Sequence, residues 1–216
     1  MGIAVRDTLM RPLVGLSPGP QSRAKMNTKG HDTATELLNT AQRLVQERGY
    51  NAFSYKDLAE AVGIRTASIH YHFPSKTDLG VALMERYTNE LNAGLAALDE
   101  GATSSQAKLE EFMGLYSETE ASGAICLCGS LASDRQTLPE ELQEAITVYL
   151  DRTEAWLSAT LSNGAEQGEF RLPGDAADLA ASLMSSLQGG LILSRARDGQ
   201  RMLGIVKRVF LNSLGV

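Results

Sequence analysis

The chain carries three histidines and two cysteines: His31, His70 and His72, and Cys126 and Cys128. They do not form a cluster with zinc-ligand spacing. Neither common glycine-rich phosphate loop is present. With no nucleophile, base and orienting group grouped in the sequence, no catalytic residue, metal site or cofactor is expected. The pair Cys126-Leu127-Cys128-Gly129 stands out in a chain otherwise lacking cysteine. On a helix, residues two apart point about 200° apart, so both cannot face one pocket, and the geometry of a disulfide between them is poor. Two readings follow. Both thiols are small buried apolar groups, or one sits at a helix N-terminus with a lowered pKa and senses oxidants or electrophiles.

The densest set of exposed hydrogen-bonding groups lies in Ser54–Lys76, SYKDLAEAVGIRTASIHYHFPSK. Thr66, Ala67, Ser68, His70 and Tyr71 offer hydroxyls, an imidazole, a methyl and an aromatic ring, which suit base edges and thymine methyls. His72, Lys76, Tyr50 and Lys56 are candidates for phosphate contacts.

The elements that must hold these groups can be read locally. Ser54 with Asp57 makes a capping box, and Leu58, Ala59 and Val62 give the first helix its apolar face. Gly63 ends it by its freedom to take positive φ. A second helix runs from Arg65 or Thr66 to about Phe73, with Ile69 and Phe73 inward. Pro74 stops it, and Ser75 with Asp78 caps the next helix. Helix, glycine turn and short helix make a helix-turn-helix, whose second helix enters the major groove. A plain helical hairpin fits the same pattern.

From Ala41 to Leu79 the chain resembles the DNA-binding domain of TetR family transcriptional regulators. The match is A41-x-x-L44-V45-x-E47-x-G49-Y50, then L58-A59-E60-A61-V62-G63-I64, then S68-I69-H70-Y71-H72-F73-P74-S75-K76-x-x-L79. Arg65 stands where the family usually has a capping serine, so Thr66 is expected to cap instead. His70 stands where the family has a tyrosine that touches phosphate, which makes that contact pH-dependent. The resemblance implies a homodimer on a palindromic double-stranded DNA operator. It also implies a second domain in which a small, mostly apolar effector shifts the population between operator-binding and released states.

Charge agrees with this division. Residues 1–80 hold ten Lys/Arg and seven Asp/Glu, net +3, and the remainder holds ten and nineteen, net −9. A mildly basic front and an acidic back fit a DNA reader joined to a domain that does not touch DNA. The chain is 43% hydrophobic and 21% charged, enough to bury a core. No apolar run reaches membrane-span length, and no secretory leader is legible, so the cytoplasm is expected.

The organisation expected is all-α. Residues 1–30 form a basic, Pro/Gly-rich disordered extension, with Met1 or Met26 as the start. Residues 31–80 form the DNA-binding domain and 81–216 the effector-binding and dimerisation domain. The first helix begins near Asp32 or Thr33, with Thr33 and Glu36 as a capping box. It buries Leu37, Leu38, Ala41, Leu44 and Val45, and ends at Gly49. The helix from Ser75 keeps a stripe through Leu79, Leu83, Tyr87, Leu91, Leu95 and Leu98. Further helices cover about 104–119, 125–137, 139–163, 175–197 and 199–214. Small residues at Ala180, Ala181, Ser182, Ser185, Ser186, Gly189 and Gly190 suit close helix packing, either across a four-helix dimer interface made by the last two helices or within the chain. Phe112, Met113, Tyr116, Leu131, Trp156, Met184 and Gln188 are the expected effector-binding residues. Two other readings stand beside a ligand-responsive repressor: a repressor using Cys126 and Cys128 as its sensor, and an architectural DNA-binding protein with a protein partner and no effector.

Overall fold

The computed structural model describes residues 29–197 and 201–216, and among them there are nine α-helices and no strand. They are α1 (Lys29–Arg48), α2 (Tyr55–Val62), α3 (Thr66–His72), α4 (Lys76–Gly101), α5 (Ser105–Ala121), α6 (Leu127–Ser133), α7 (Glu140–Glu166), α8 (Ala176–Ala196) and α9 (Met202–Leu214). Single 3₁₀ turns at Tyr50–Ala52 and Arg135–Thr137 follow α1 and α6. The expected disordered extension over residues 1–28 and the choice of start at Met26 lie outside the described residues, as does the expected helix start at Gly199.

α1 forms because its apolar residues recur at helical spacing. Leu37, Ala41, Leu44 and Val45 are fully buried, and Leu38 packs at the edge of the core. The helix is already formed at Lys29, the first described residue, ahead of Asp32 and Thr33. Thr33 therefore lies inside the first turns and cannot cap with Glu36. No proline lies between Lys29 and Thr33 to interrupt the helix there. Lys29 and Gly30 are thereby helical rather than part of an extension.

α1, α2 and α3 pack into one small unit closed by α4. Tyr50 and Phe53 fill its interior with edge-to-face rings 6.1 Å apart. α4 runs 26 residues and buries Leu79, Leu83, Tyr87, Leu91, Leu95 and Leu98, the whole expected stripe. It leaves the small unit and packs along α7. The second unit is a helical bundle in which α7 meets α4, α5, α6 and α8, and α9 closes against α5 and α8.

Helix ends follow local chemistry. Pro139 precedes α7, whose first turn carries Glu140 and Glu141. Asp175 accepts the backbone N–H groups of Ala177 and Asp178 at the start of α8. The expected long helix over 125–137 is shorter: Cys126 is the residue before α6, with extended backbone angles. Gly190 sits where a Cβ would lie 2.5 Å from the Leu203 side chain, so it allows α8 and α9 to approach within the chain. α8 is the one described helix long and apolar enough, by length and composition alone, to cross a membrane.

Candidate nucleic-acid interface

Two capping boxes frame the recognition segment. The Ser54 hydroxyl accepts from the Asp57 N–H, while the Asp57 carboxylate accepts from the Ser54 N–H at 2.7 Å. Ser75 and Asp78 repeat this at the start of α4, with the Ser75 N–H 2.8 Å from the carboxylate. The Ser54 hydroxyl and N–H hold the Asp57 carboxyl below the usual range. Gly63 closes α2 in the left-handed region at φ 77°.

Between these two starts, α3 has no side-chain cap. Arg65 is its N-cap residue, so Thr66 is the first helical residue and its hydroxyl does not cap as expected. Ile69 is fully buried and anchors the short helix, with Phe73 behind it. The opposite face is open. Ala67, Ser68, His70 and Tyr71 are exposed, while Thr66 and His72 are half-buried. Tyr71 is 84% exposed, the most exposed large apolar side chain described. Its ring lies 5.2 Å from that of His72. Ala67, Ser68, Tyr71, His72 and Arg65 line an open concavity of about 510 Å³ with Ile64 and Thr33.

His70 is held from behind. Its Nδ1 lies 3.0 Å from the Pro74 carbonyl, and since a carbonyl only accepts, that nitrogen carries the proton. Its ring meets Tyr55 edge-on at 4.9 Å. The Tyr55 hydroxyl donates to the Ser75 carbonyl at 2.5 Å, with the Phe73 carbonyl 2.9 Å away. Burial, then the Asp78 charge, raises its pKa. Tyr55 thus ties α2 to both ends of the α3–α4 turn. Sequence reasoning missed it, because a tyrosine at the first position of an amphipathic helix carries no pattern of its own.

Two expected phosphate contacts are corrected. Tyr50 is buried, and its hydroxyl donates to the Lys76 carbonyl at 2.7 Å; burial pushes the phenol up to about 12. The Lys76 ammonium turns inward as well. It donates to the carbonyls of Tyr50 at 2.6 Å and Phe53 at 2.5 Å, and lies over both rings. Burial lowers its pKa. The physical reason is that the 3₁₀ turn leaves carbonyls without helical partners, and the flexible cation at the first residue of α4 satisfies them. Lys56 is exposed, as a phosphate contact requires.

In the second unit, five of the seven expected effector-binding residues come together. Phe112 lies 5.6 Å from Tyr116 and 5.5 Å from Trp156. The Tyr116 hydroxyl approaches the Met184 sulfur at 3.7 Å, and Gln188 Nε2 donates to the same hydroxyl at 3.5 Å. Met113 and Leu131 are buried in the same core. Trp156 is only half-buried, and its indole N–H donates to Asp99. Sequence reasoning did not assign two further fully buried phenols here: Tyr87 and Tyr149 stack at 5.0 Å.

The thiols join this core. Cys126 and Cys128 are both fully buried. The Cys126 sulfur lies 3.4 Å from the Tyr87 hydroxyl. The expected 200° separation fails because Cys126 precedes the helix instead of lying on it. Burial, then Cys126, raises the Cys128 pKa. A buried, protonated thiol is a packing group and not a reactive one, so the geometry does not favour the thiol-sensor reading.

The family described as "Bacterial regulatory proteins, tetR family" matches residues 37–83, and "Tetracyclin repressor-like, C-terminal domain" matches residues 106–210. A TetR family regulator structure from Agrobacterium tumefaciens is 33% identical, with TM-score 0.82 over 86% of this chain and 98% of that one. A TetR regulator structure from Legionella pneumophila is 32% identical, with TM-score 0.78 over 89% and 100%. The "HTH-type transcriptional repressor NemR" of Escherichia coli is 27% identical over 142 residues, 63% of this chain and 70% of its own. With a capped helix-turn-helix matching the first profile and the helical bundle matching the second, the chain belongs to the TetR family of DNA-binding transcriptional regulators.

Proposed function

We propose that the protein is a ligand-responsive repressor which binds a palindromic operator as a homodimer in the cytoplasm. Residues 31–80 serve as the reader and 81–216 as the effector-binding and dimerisation domain. The observation that carries this reading is the open face of α3. A helix of seven residues presents Ala67, Ser68, His70 and an 84% exposed Tyr71, while Ile69 anchors it from behind. The Tyr71 ring and hydroxyl are free to meet a thymine methyl or a base edge. The major groove accepts such a helix, with Ser68 and His70 toward base edges, Tyr71 toward a thymine methyl, and Lys56 and His72 toward phosphates.

The effector is a small, mostly apolar molecule. Phe112, Tyr116, Trp156 and Met184 supply apolar and aromatic surface, and Gln188 and Tyr116 supply the polar groups that orient it. Binding there acts by its unequal affinity for the operator-bound and released conformations. Dimerisation uses α8 and α9, which expose Ile192, Leu193 and Val209.

The test is fluorescence anisotropy on labelled duplex from the gene's own upstream region, titrated across salt. Selective binding that survives physiological salt, with a log-log salt slope set by a few phosphate contacts, is expected. Weak binding without selectivity at every salt concentration would overturn the reading. For the effector, a panel of uncharged aromatic compounds is screened for thermal stabilisation. A stabilising compound that leaves operator affinity unchanged would sink the allosteric part.

A further inference from the structure

The last turn of α1 is gripped from the second unit by three groups far away in sequence. The Ser130 hydroxyl of α6 donates to the Val45 carbonyl at 2.9 Å. Gln46 Nε2 donates to the Ile125 carbonyl at 2.8 Å. Arg195, in the last turn of α8, donates from its two terminal nitrogens to the carbonyls of Gln46 at 2.9 Å and Glu47 at 2.7 Å. These carbonyls lie at the negative end of the α1 dipole, where a guanidinium fork is favoured over any neutral group. The Glu47 side chain is already paired with Arg43 on α1 itself, so Arg195 engages backbone only. Arg195 lies three residues beyond Ile192 and two beyond Leu193, both exposed on α8.

We infer that Arg195 is a positioning residue for operator binding: it ties the reading head to the helix that carries the dimer face, and so sets the separation of the two heads. The inference rests on the homodimer reading above. Each protomer presents one α3, and a palindrome is read in full only when both copies reach successive major grooves together. α1 packs directly on α2 and α4, so a fork on its C-terminal carbonyls fixes the orientation of the whole reader. Arg195 touches neither α3 nor DNA, and its effect is confined to geometry. Without it, the hydrogen bonds of Ser130 and Gln46 still hold α1, but they run to α6 and the segment just before it, not to α8.

The test uses the full chain. A two-half-site duplex is selected from random sequence with the wild-type protein. Companion duplexes carry one scrambled half-site, or half-sites moved apart or together by one and two base pairs. Arg195→Ala should lose about ten- to a hundredfold in affinity for the selected duplex. It should keep wild-type affinity for the single half-site and remain a dimer by sedimentation. Its dependence on half-site spacing should flatten, a readout that damage to the reader would not produce. Arg195→Lys, which reaches one carbonyl, should fall between. Equal loss on both duplexes, or an unchanged spacing optimum, overturns the inference while leaving the repressor reading intact. A wild-type protein that itself shows no spacing optimum overturns both.

Discussion

At the scale of single residues, the structure exposes most of the surface the sequence points to and turns two of its expected members, Tyr50 and Lys76, inward. Thr66, Ser68, His70 and Tyr71 were legible because they interrupt an apolar pattern fixed by Ile69 and Phe73. Tyr50 and Lys76 were not, because residue type says what a side chain can bond, not whether a nearer backbone carbonyl takes it first. The exposed ring leads to a clear expectation. Tyr71→Ala should leave the melting temperature essentially unchanged, since 84% of the side chain is already in water. Operator affinity should fall by about 1–3 kcal/mol, the worth of one lost base contact. Loss confined to thermal stability, with affinity preserved, would remove Tyr71 from the interface. The thiols give the opposite kind of expectation. Iodoacetamide should leave Cys126 and Cys128 unmodified in the folded protein and alkylate both after unfolding in urea, as read by intact mass. Rapid alkylation of the native chain would revive a sensing role for the pair.

At the scale of elements, boundaries set by capping chemistry were legible and boundaries set by context were not. Ser54/Asp57 and Ser75/Asp78 fixed the starts of α2 and α4 to the residue, because a capping box is local. The start of α1 was missed, since Thr33 and Glu36 offer the same residue pattern inside a continuing helix. The α6 region was over-extended, because Cys126 takes extended angles that no local pattern required. The α2 box also yields a pH dependence. The Asp57 carboxyl titrates below its usual range when folded, because the Ser54 hydroxyl and N–H favour the carboxylate. Its stabilising effect is therefore present above the unfolded-state value, near 3.9, and is lost as pH falls through the lower folded value. Asp57→Asn should be less stable than wild type in urea titrations, by a gap that is constant from about pH 8 to pH 5 and narrows below about pH 4. A gap that widened on acidification would contradict the box. Ser54→Ala, which removes the other half, should cost about 1 kcal/mol.

At the scale of the whole molecule, the sequence left the small residues of the last two helices open between packing within the chain and packing between copies. Coordinates divide them. Ala180 is fully buried in the chain's own core, and Gly190 faces Leu203 across the α8–α9 contact. Ser182, Ser185 and Ser186 are exposed on α8, in register with Ile192 at 53% and Leu193 at 42%. Val209 on α9 is 59% exposed. This division also accounts for the apolar character of α8: one face fills the core, and the other is open in the single chain, where the proposed dimer would cover it. Ile192→Asp should then separate the protomers. Across a two-fold axis one substitution acts twice, setting two carboxylates against apolar surface. Sedimentation at micromolar concentration should show a monomer with wild-type helicity by circular dichroism. Its melting temperature should no longer rise with protein concentration, as that of a dimer does by mass action. Operator binding should fall toward that of a single half-site, because the second head no longer arrives already tethered. A variant that stays dimeric would move the interface off α8, and with it the surface to which Arg195 ties the reader.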